Sequence, residues 1–453
     1  MKPRRCAHRN RPFNHKRPAA LALVAGLAIL AGHGPARAQD PVAPLPGALP
    51  TAAAVPDTAA SDSASEEPIR VRVWPAPRIP GAHSVADDSL LRWRPQRYLL
   101  PLLQTQSGLR LHSTGSPLRP AAVQDMTRGP ASLQLRIDGL DRTDPLTGLL
   151  AVHLPSPRII AALSRSAIQG AGRWEGVTRD LYLNRPRLYL YFNEAGDAVR
   201  DLDVQYALNV RKDLNVELGY HDLRDALSYS GSRGEAGVVR AKAWYQPDPR
   251  WLIRAGLHSR TTELDEPFGY TQQPLAAFTF NPLIERPQTA GLRSTRTTRD
   301  LFLQAMHDPG EDGSKLFRAG LHQQSARRRL SSPTDSIDAG FERLGGFIGH
   351  DRTYSSIRAS AEARLDWDRL QGRSLPAPGS QSIAAVRLQA DLHWTPAPRL
   401  AAVAHLALTR RSDHPSAPLA ALSIRHGDPF GNGLSLELGT GRRPVPYQPL
   451  HWR

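Results

Sequence analysis

The side chains best suited to chemistry in this sequence are a few histidines and one acidic loop. His221, His258, His393 and His405 fall on the polar positions of alternating segments. The stretch DPGEDGS at 308–314 offers oxygen ligands for a calcium ion, but it lacks the ligand spacing and the terminal glutamate of a calcium loop. The spacing therefore predicts solvated histidines and a hairpin turn rather than a metal site.

Catalytic motifs do not accompany these residues. The sequence contains no G-x-S-x-G, no H-E-x-x-H and no phosphate-binding Walker loop. We therefore expect no enzyme activity, no catalytic residue, no cofactor and no bound metal. The function has to be sought in the elements that the chain builds.

The segment SIRASAEARLDW at 356–367 alternates strictly between apolar residues and polar or charged residues. On a β-strand this pattern makes one face apolar and the other face charged. A soluble β-sandwich would bury the apolar face, whereas a transmembrane barrel would turn it to lipid and the charged face to a watery lumen. The length favours the barrel, because soluble strands usually have about 5–6 residues and tilted membrane strands about 9–11.

The N-terminus predicts export. A basic stretch at 1–18 is followed by the apolar run AALALVAGLAILAG and then by ARAQD, which has small residues at the −3 and −1 positions of a cleavage site. We expect a signal peptide over 1–38, which contains the only cysteine, Cys6. Since no other run is apolar enough for a membrane helix, a membrane protein with this sequence must be a barrel.

The formal net charge of +16 comes almost entirely from arginines that are scattered rather than grouped in one basic block. Together with the export signal, this scatter argues against a nucleic-acid partner. The positive surface is better suited to anionic lipid headgroups or to an anionic solute.

Composition divides the rest of the chain into three parts. The Ala-, Pro- and Ser-rich segment 39–67 predicts a disordered spacer. Residues 68–172 predict a small α+β domain, and 173–453 contain about twelve alternating strands, with 336–350 uncertain. The predicted fold is mostly β, with the α+β domain preceding a transmembrane antiparallel β-barrel.

The connections between the predicted strands support this fold. Short turns, RKD and PDPR, alternate with longer stretches at 224–236 and 262–297, as in outer-membrane barrels with short periplasmic turns and long external loops. The alternation is lost after about residue 330.

The most specific signal lies in the α+β domain. GLRLHSTG at 108–115 is followed by TRGPASLQLRIDGLDRTDPLTGLLAVHLPSPRIIAALSRSAIQGAG at 127–172. This segment resembles the plug domain of TonB-dependent outer-membrane receptors. The residues that match the plug motif are Arg128, Gly129, Asp138, Gly139, Asp144, Pro145, Thr147 and Gly148, followed by Leu154, Pro155, Ile159 and Ile160. Independently of the resemblance, Asp138-Gly139 and Asp144-Pro145 are turn formers between short apolar strands.

Upstream, SEEPIRVRVW at 65–74 resembles the TonB box of the same family. The candidate residues are Ile69, Arg70, Val71, Arg72 and Val73. An extended segment of this kind can add as a strand to the edge of a partner's sheet. The alternative is that the segment forms the first strand of the plug.

The resemblance implies a receptor-like transporter in the outer membrane of a Gram-negative bacterium. An external small ligand, which the sequence does not identify, would bind the loops and the plug. A TonB-type inner-membrane energy complex would then pull the box, and lipid would surround the barrel. Two alternatives stay open: a passive porin-like barrel, and a secreted β-rich binding protein.

Two features depart from the family pattern. Plugged outer-membrane transporters have about 22 strands, and residues 443–453 are too rich in proline for a closing membrane strand. We therefore expect a chain that is truncated within its barrel; the alternatives are a smaller barrel and a barrel that a partner chain completes.

Overall fold

Strands account for most of the chain that the structure describes. This computed structural model describes residues 71–74, 83–86, 91, 99, 109–112, 118, 122–125, 134–143, 156–165, 173–194, 199–225, 233–266, 291–332, 336–372, 379–397, 399–427 and 433–441. They belong to one compact unit, Ile69–Arg453. The predicted signal peptide and spacer lie outside the described residues.

Seven short strands come first. They are β1 (His83–Ala86), β2 (Leu109–His112), β3 (Ala122–Asp125), β4 (Gln134–Ile137), β5 (Leu140–Asp141), β6 (Ile160–Arg165) and β7 (Arg173–Thr178). A five-stranded sheet has the order β1-β6-β7-β4-β5, in which only the β4–β7 pair is parallel, and β2 pairs with β3 separately. A 3-10 turn, Pro157–Ile159, leads into β6.

Thirteen longer strands form one antiparallel sheet in chain order, and β8 and β20 are its two edges. The strands are β8 (Arg187–Glu194), β9 (Val199–Arg211), β10 (Leu214–Asp225), β11 (Gly234–Tyr245), β12 (Trp251–Asp265), β13 (Arg293–His307), β14 (Lys315–Ser331), β15 (Ser336–Tyr354), β16 (Ile357–Gly372), β17 (Gly379–Ala397), β18 (Leu400–Arg411), β19 (His414–Gly427) and β20 (Gly433–Gly441). No helix in the described part of the chain is long and apolar enough to cross a membrane.

The strand count of this sheet is thirteen, where the sequence predicted about twelve. The uncertain segment 336–350 is part of β15. Because β7 pairs with β4 and β6, the change from one sheet to the other falls after Thr178. The thirteen-stranded sheet itself begins at Arg187, later than the predicted start of the barrel strands at 173.

The connections at one end of the strands are consistently short, and we call this end of the sheet the short-turn end. It carries the turns at 212–213, 246–250, 308–314, 355–356 and 398–399. The opposite end carries the long separations 226–233 and 266–292 but also 332–335 and 412–413, so the alternation does slip after residue 330. The slip has a structural cause, because β14 and β15 are among the longest strands and pair all the way to their 332–335 connection.

The two faces of the sheet are inverted relative to those of a soluble protein. On β16, Leu365 and Trp367 are each 58% exposed, whereas Arg364 and Asp366 are 3% and 4% exposed. We call the exposed apolar side the outer face and the buried polar side the inner face. This burial is the opposite of a sandwich packed on its apolar face, and it follows from the five-stranded sheet lying against the inner face.

Among the described residues, the apolar clusters on the inner face lie at the two ends of the sheet. At the short-turn end Trp74, Trp244, Leu252 and Met306 pack together. At the opposite end, two further clusters form around Leu118 and around Phe341. Between these clusters the inner face is polar, and its charged side chains contact the five-stranded sheet.

Candidate functional site

The hairpin between β4 and β5 is the part of the five-stranded sheet that reaches the inner face. Its turn residues Asp138 and Gly139 have φ values of 52° and 75°, as a two-residue type I′ turn requires, so the predicted turn at this position is confirmed. The Asp138 carboxylate accepts hydrogen bonds from Thr178 N at 3.0 Å and from Thr178 Oγ1 at 2.7 Å. A Cβ atom at Gly139 would lie 3.2 Å from Gln304 Nε2, so the turn also needs glycine for close approach.

Backbone carbonyls of this hairpin are bonded by side chains of the large sheet. Gln304 on β13 donates to Asp138 O, and Arg364 Nη1 on β16 donates to Gly139 O at 2.9 Å. Gln324 Nε2 on β14 donates to Asp141 O on β5 at 3.1 Å. The hairpin is therefore held by directional bonds from at least three strands.

Arg254 on β12 is the central cation of this contact and is 1% exposed. Its Nε donates to Asp180 Oδ1 at 3.1 Å, and its Nη2 donates to Thr178 O at 3.1 Å and lies 3.4 Å from Asp138 Oδ1. Lys242 Nζ lies 2.6 Å from the same Asp180 oxygen. Burial by itself raises the pKa of Asp180, but Arg254 and Lys242 outweigh burial and hold this pKa below its ordinary value.

Two arginines of the five-stranded sheet region reach across in the other direction. Arg136 on β4 forms an ion pair with Glu362 on β16, with Nη1 and Oε1 2.9 Å apart and both side chains nearly buried. Arg158 in the 3-10 turn lies 3.4 Å from an Asp201 oxygen and 3.6 Å from an Asp203 oxygen on β9. A further pair joins Arg142, which follows β5, to β13. Ion pairs therefore join this region to strands that lie far apart in the large sheet.

Three of the four histidines are buried rather than solvated, so that part of the sequence prediction is wrong. His221 Nε2 lies 2.7 Å from Asp201 Oδ1, and His405 Nδ1 lies 2.7 Å from Asp391 Oδ1. His258 is also buried. The alternation placed these side chains on the polar face. In the structure that face is covered, and His221 and His405 contact aspartates on neighbouring strands instead of water. Among the described residues, no group of His, Cys, Asp and Glu could hold a metal ion.

Residues 71–74, which include part of the predicted TonB box, lie at the short-turn end. Arg72 N donates to Gln246 Oε1 at 3.0 Å, and Gln246 Nε2 donates back to Arg72 O at 2.8 Å. The Arg72 guanidinium lies 2.7 Å from the fully buried Asp308 carboxylate. Trp74 is buried against Trp244, which itself donates to a backbone carbonyl. One residue of the box region is thus bonded through both its backbone and its side chain.

Tyr182 completes the contact around Trp74. Its hydroxyl accepts from Trp74 N at 3.3 Å, and its ring lies 4.8 Å from the Trp244 ring. Burial raises the pKa of Tyr182 to about 12, so the hydroxyl stays neutral at physiological pH.

The structure brings together only some of the predicted site residues. Val71, Arg72 and Val73 are described and do not form a strand, whereas Ile69 and Arg70 lie outside the described residues. Asp138 and Gly139 lie at the center of the contact. Ile159 ends the 3-10 turn and Ile160 begins β6. The residues of the plug motif that lie outside the described residues are Arg128, Gly129, Asp144, Pro145, Thr147, Gly148, Leu154 and Pro155.

The acidic stretch at 308–314 forms the turn between β13 and β14, as the sequence predicted. Glu311 and Gly313 have positive φ values, and Asp308 Oδ2 accepts a hydrogen bond from Gly313 N at 2.7 Å. The ion pair between Asp308 and Arg72 was not predicted, because the sequence of a turn does not show which distant cation its carboxylate contacts. The inner-face charges Arg254 and Glu362 were missed for the same reason, although strand alternation already placed them on the polar face.

Comparison with known proteins identifies the architecture. No protein-family model and no curated protein sequence matches the chain. Solved structures with a similar fold include the siderophore receptor PirA from Acinetobacter baumannii (TM-score 0.60, 11% identity), the copper transporter OprC (0.60, 12%) and the ferric citrate transporter FecA (0.57, 11%). They match 81%, 83% and 76% of this chain, and the matches span 62%, 66% and 60% of theirs. These proteins are receptors and transporters rather than enzymes, and at such identities the likeness concerns the fold. The chain therefore has the fold of the TonB-dependent outer-membrane receptors.

Proposed function

We propose that this chain belongs to a receptor-like outer-membrane transporter in which the five-stranded sheet is a movable plug. The observation that carries the proposal is the chemistry of the contact between this sheet and the inner face. It consists of hydrogen bonds and ion pairs, such as Arg136–Glu362 and Arg254–Asp138, rather than of a continuous apolar core. Water can replace such contacts one at a time, so the five-stranded sheet can separate from the inner face at a moderate cost in free energy.

Cavity size supports movement of the plug rather than passive flow around it. The space between the Asp138 hairpin and strands β9 to β12, which Arg142, Arg158 and Lys242 line, is about 70 Å³. A second space beside Gly139 is about 40 Å³. Sites for small molecules usually measure about 300–1,000 Å³, so a ligand of that size does not fit in either of these two spaces unless the plug moves. This favours an energised transporter over a porin-like barrel.

The box region occupies a position from which a partner could start this movement. A partner strand pairs through main-chain groups, and both main-chain groups of Arg72 are occupied by Gln246. Val73, in contrast, is 71% exposed. We infer that a TonB-type energy complex reaches this segment from the short-turn end and takes over the bonds made by Gln246.

The ligand class follows only from the proteins with a similar fold, whose names specify siderophores, copper and ferric citrate. We propose that a metal or a metal chelate is the external ligand of this chain also. The outer face would then contact lipid in the outer membrane, and the signal peptide at 1–38 would direct export.

Val71→Pro tests the energised mechanism. Proline removes a backbone donor and fixes φ, which disrupts strand pairing along a short segment. We expect Val71→Pro to leave the amount of protein in the outer membrane unchanged and to abolish uptake that an uncoupler inhibits. Uptake would be measured separately with ferric citrate, a ferric siderophore and a copper salt. Val73→Ala, at the exposed neighbouring position, is the control and should behave as wild type.

Each alternative predicts a different outcome of this experiment. Uptake that persists with the uncoupler and in Val71→Pro supports the porin-like barrel. Wild-type protein in the culture medium rather than in the outer membrane supports the secreted binding protein. Loss of Val71→Pro alone from the membrane shows that the segment is needed for folding of the plug.

A further inference from the structure

Four aromatic rings form a row on the outer face at the short-turn end. Trp251, His307, Phe317 and His350 lie on β12 to β15, and each is the register partner of the next. Ring centroids are 4.4 Å apart between Trp251 and His307, 6.4 Å between His307 and Phe317, and 4.2 Å between Phe317 and His350. Tryptophan concentrates at the level where a membrane meets water, so Trp251 assigns this row to such a level if the outer face lies in a membrane.

Two cations lie directly opposite each other just beyond this row. Lys315 and Arg352 are register partners on β14 and β15, and they lie two residues past Phe317 and His350 on the same face. Like charges in directly opposite positions destabilise a sheet. Within the described part of the chain, neither cation has a carboxylate within 4.0 Å, and the buried Arg352 Nε has no hydrogen-bond partner. The pair therefore presents two adjacent cations to an anion that the described part of the chain does not supply.

Nearby residues show that this arrangement is not general for the two strands. On the inner face, the neighbouring Arg318 is neutralised by Asp351, with Nε and Oδ2 3.1 Å apart. The acidic residue closest in sequence to Lys315, Asp312, accepts a hydrogen bond from Ser314 N at 2.9 Å within the turn. Arg318 is thus compensated by an ion pair, whereas Lys315 and Arg352 have none within the described part of the chain.

An apolar groove of about 960 Å³ adjoins the ring row on the outer face. Phe317 and His350 line one end of it, and Ile348, Leu388 and Leu406 line its floor. These apolar side chains are strongly exposed, with Ile348 at 66%. The groove begins at Phe317 and His350. These residues lie two positions along the strands from the two cations, a distance of about 7 Å.

We propose that Lys315 and Arg352 bind the phosphate of an anionic phospholipid whose acyl chains occupy the groove. The phosphate lies between the two cations and relieves their mutual repulsion. The ring row contacts the region between headgroup and chains. The inference rests on the proposed function in one respect, namely that the outer face lies in a membrane.

Lipid titration of the folded, full-length chain tests the site. The chain in detergent is titrated with phosphatidylglycerol or with phosphatidylcholine, and bound lipid is counted by native mass spectrometry. The variant is Lys315→Gln combined with Arg352→Gln. The control is Arg299→Gln, which removes an exposed outer-face cation that lies opposite Ser325 instead of another cation.

We expect wild type to prefer phosphatidylglycerol, and the double variant to bind it roughly thirtyfold more weakly, since each surface cation contributes about 1 kcal/mol to binding an anionic lipid. Binding of phosphatidylcholine should not change, and Arg299→Gln should match wild type. Lys315→Gln alone, at an exposed position, should weaken binding about fivefold and serves if the double variant folds poorly.

Three outcomes would overturn the site: equal binding of the two lipids by wild type, equal losses in Arg299→Gln and the double variant, or displacement of phosphatidylglycerol by inorganic phosphate. The last would indicate a site for free anions. The experiment is independent of transport. Normal membrane insertion without lipid preference rejects only the lipid site, whereas lipid preference without energised uptake rejects only the transporter.

Discussion

Arg254→Met is the most direct test of how the five-stranded sheet is held. Methionine keeps most of the length of the side chain and removes the guanidinium that joins β12 to Asp138, Asp180 and Thr178 O. The two carboxylates stay buried after the substitution. We expect the contact to open more often, because buried charge without its partner favours the open, hydrated state.

The size of the effect follows from what each carboxylate retains. Removing one partner of a buried ion pair usually costs about 3–5 kcal/mol. Asp180 keeps Lys242, and Asp138 keeps its two bonds from Thr178. We therefore expect the lower end, about 3 kcal/mol, which corresponds to a population of the open state roughly a hundredfold larger.

A single engineered thiol can report this opening. Cys6 is the only natural cysteine, so Cys6→Ser combined with Ser164→Cys leaves one buried thiol on β6 of the five-stranded sheet. Its labelling rate in the folded protein measures the free energy of local opening. Arg327→Met is the control, because Arg327 is 71% exposed and pairs with Asp338 at the surface, where ion pairs contribute about 0–1 kcal/mol.

The same labelling assay can be run as a function of pH. The folded state holds the pKa of Asp180 below its ordinary value of 3.8, so its stabilisation is complete above that pH and is lost as pH falls through the lowered value. In Arg254→Met only Lys242 remains to oppose burial as a close cation, so the pKa rises and opening begins at higher pH. Labelling of Arg254→Met that stays within threefold of the control, or an unchanged acid profile, would refute the reasoning. Asp180→Asn added to Arg254→Met should recover part of the loss.

Two other predictions concern the two faces of the large sheet. Gly345→Ala should destabilise the sheet by about 1–3 kcal/mol in urea unfolding, because its Cβ would lie 2.3 Å from Asp366 Oδ1 and 2.6 Å from His322 Nε2 and would separate this buried pair. Gly237→Ala, whose Cβ would meet nothing within 4 Å, should change stability little, and equal losses would contradict the argument. Leu365→Arg should reduce insertion into liposomes by about 2–4 kcal/mol if Leu365 lies near the bilayer centre, whereas Leu365→Phe should insert normally. Normal insertion of Leu365→Arg would show that this position does not contact lipid.

The strand architecture could be predicted from the sequence, because alternation depends only on the geometry of a single strand. The segment at 356–367 predicted an apolar face and a charged face, and Leu365 and Arg364 lie on those faces in the structure. The turn at Asp138-Gly139 was predictable for the same reason, since its two residue types favour positive φ locally. The end of the alternation after residue 330 was also visible, although its cause, the long β14–β15 pair, was not.

The function of the charged face was decided by tertiary structure alone. Alternation places Arg364 on the inner face, but only the fold brings Gly139 O to within 2.9 Å of its guanidinium. Arg136 and Glu362 are separated by 226 residues, and no local pattern specifies that they meet. The sequence therefore predicted solvated inner-face side chains where the structure has a network that holds the five-stranded sheet. A strand's own residues determine which way a side chain points, whereas its partner depends on the packing of distant segments.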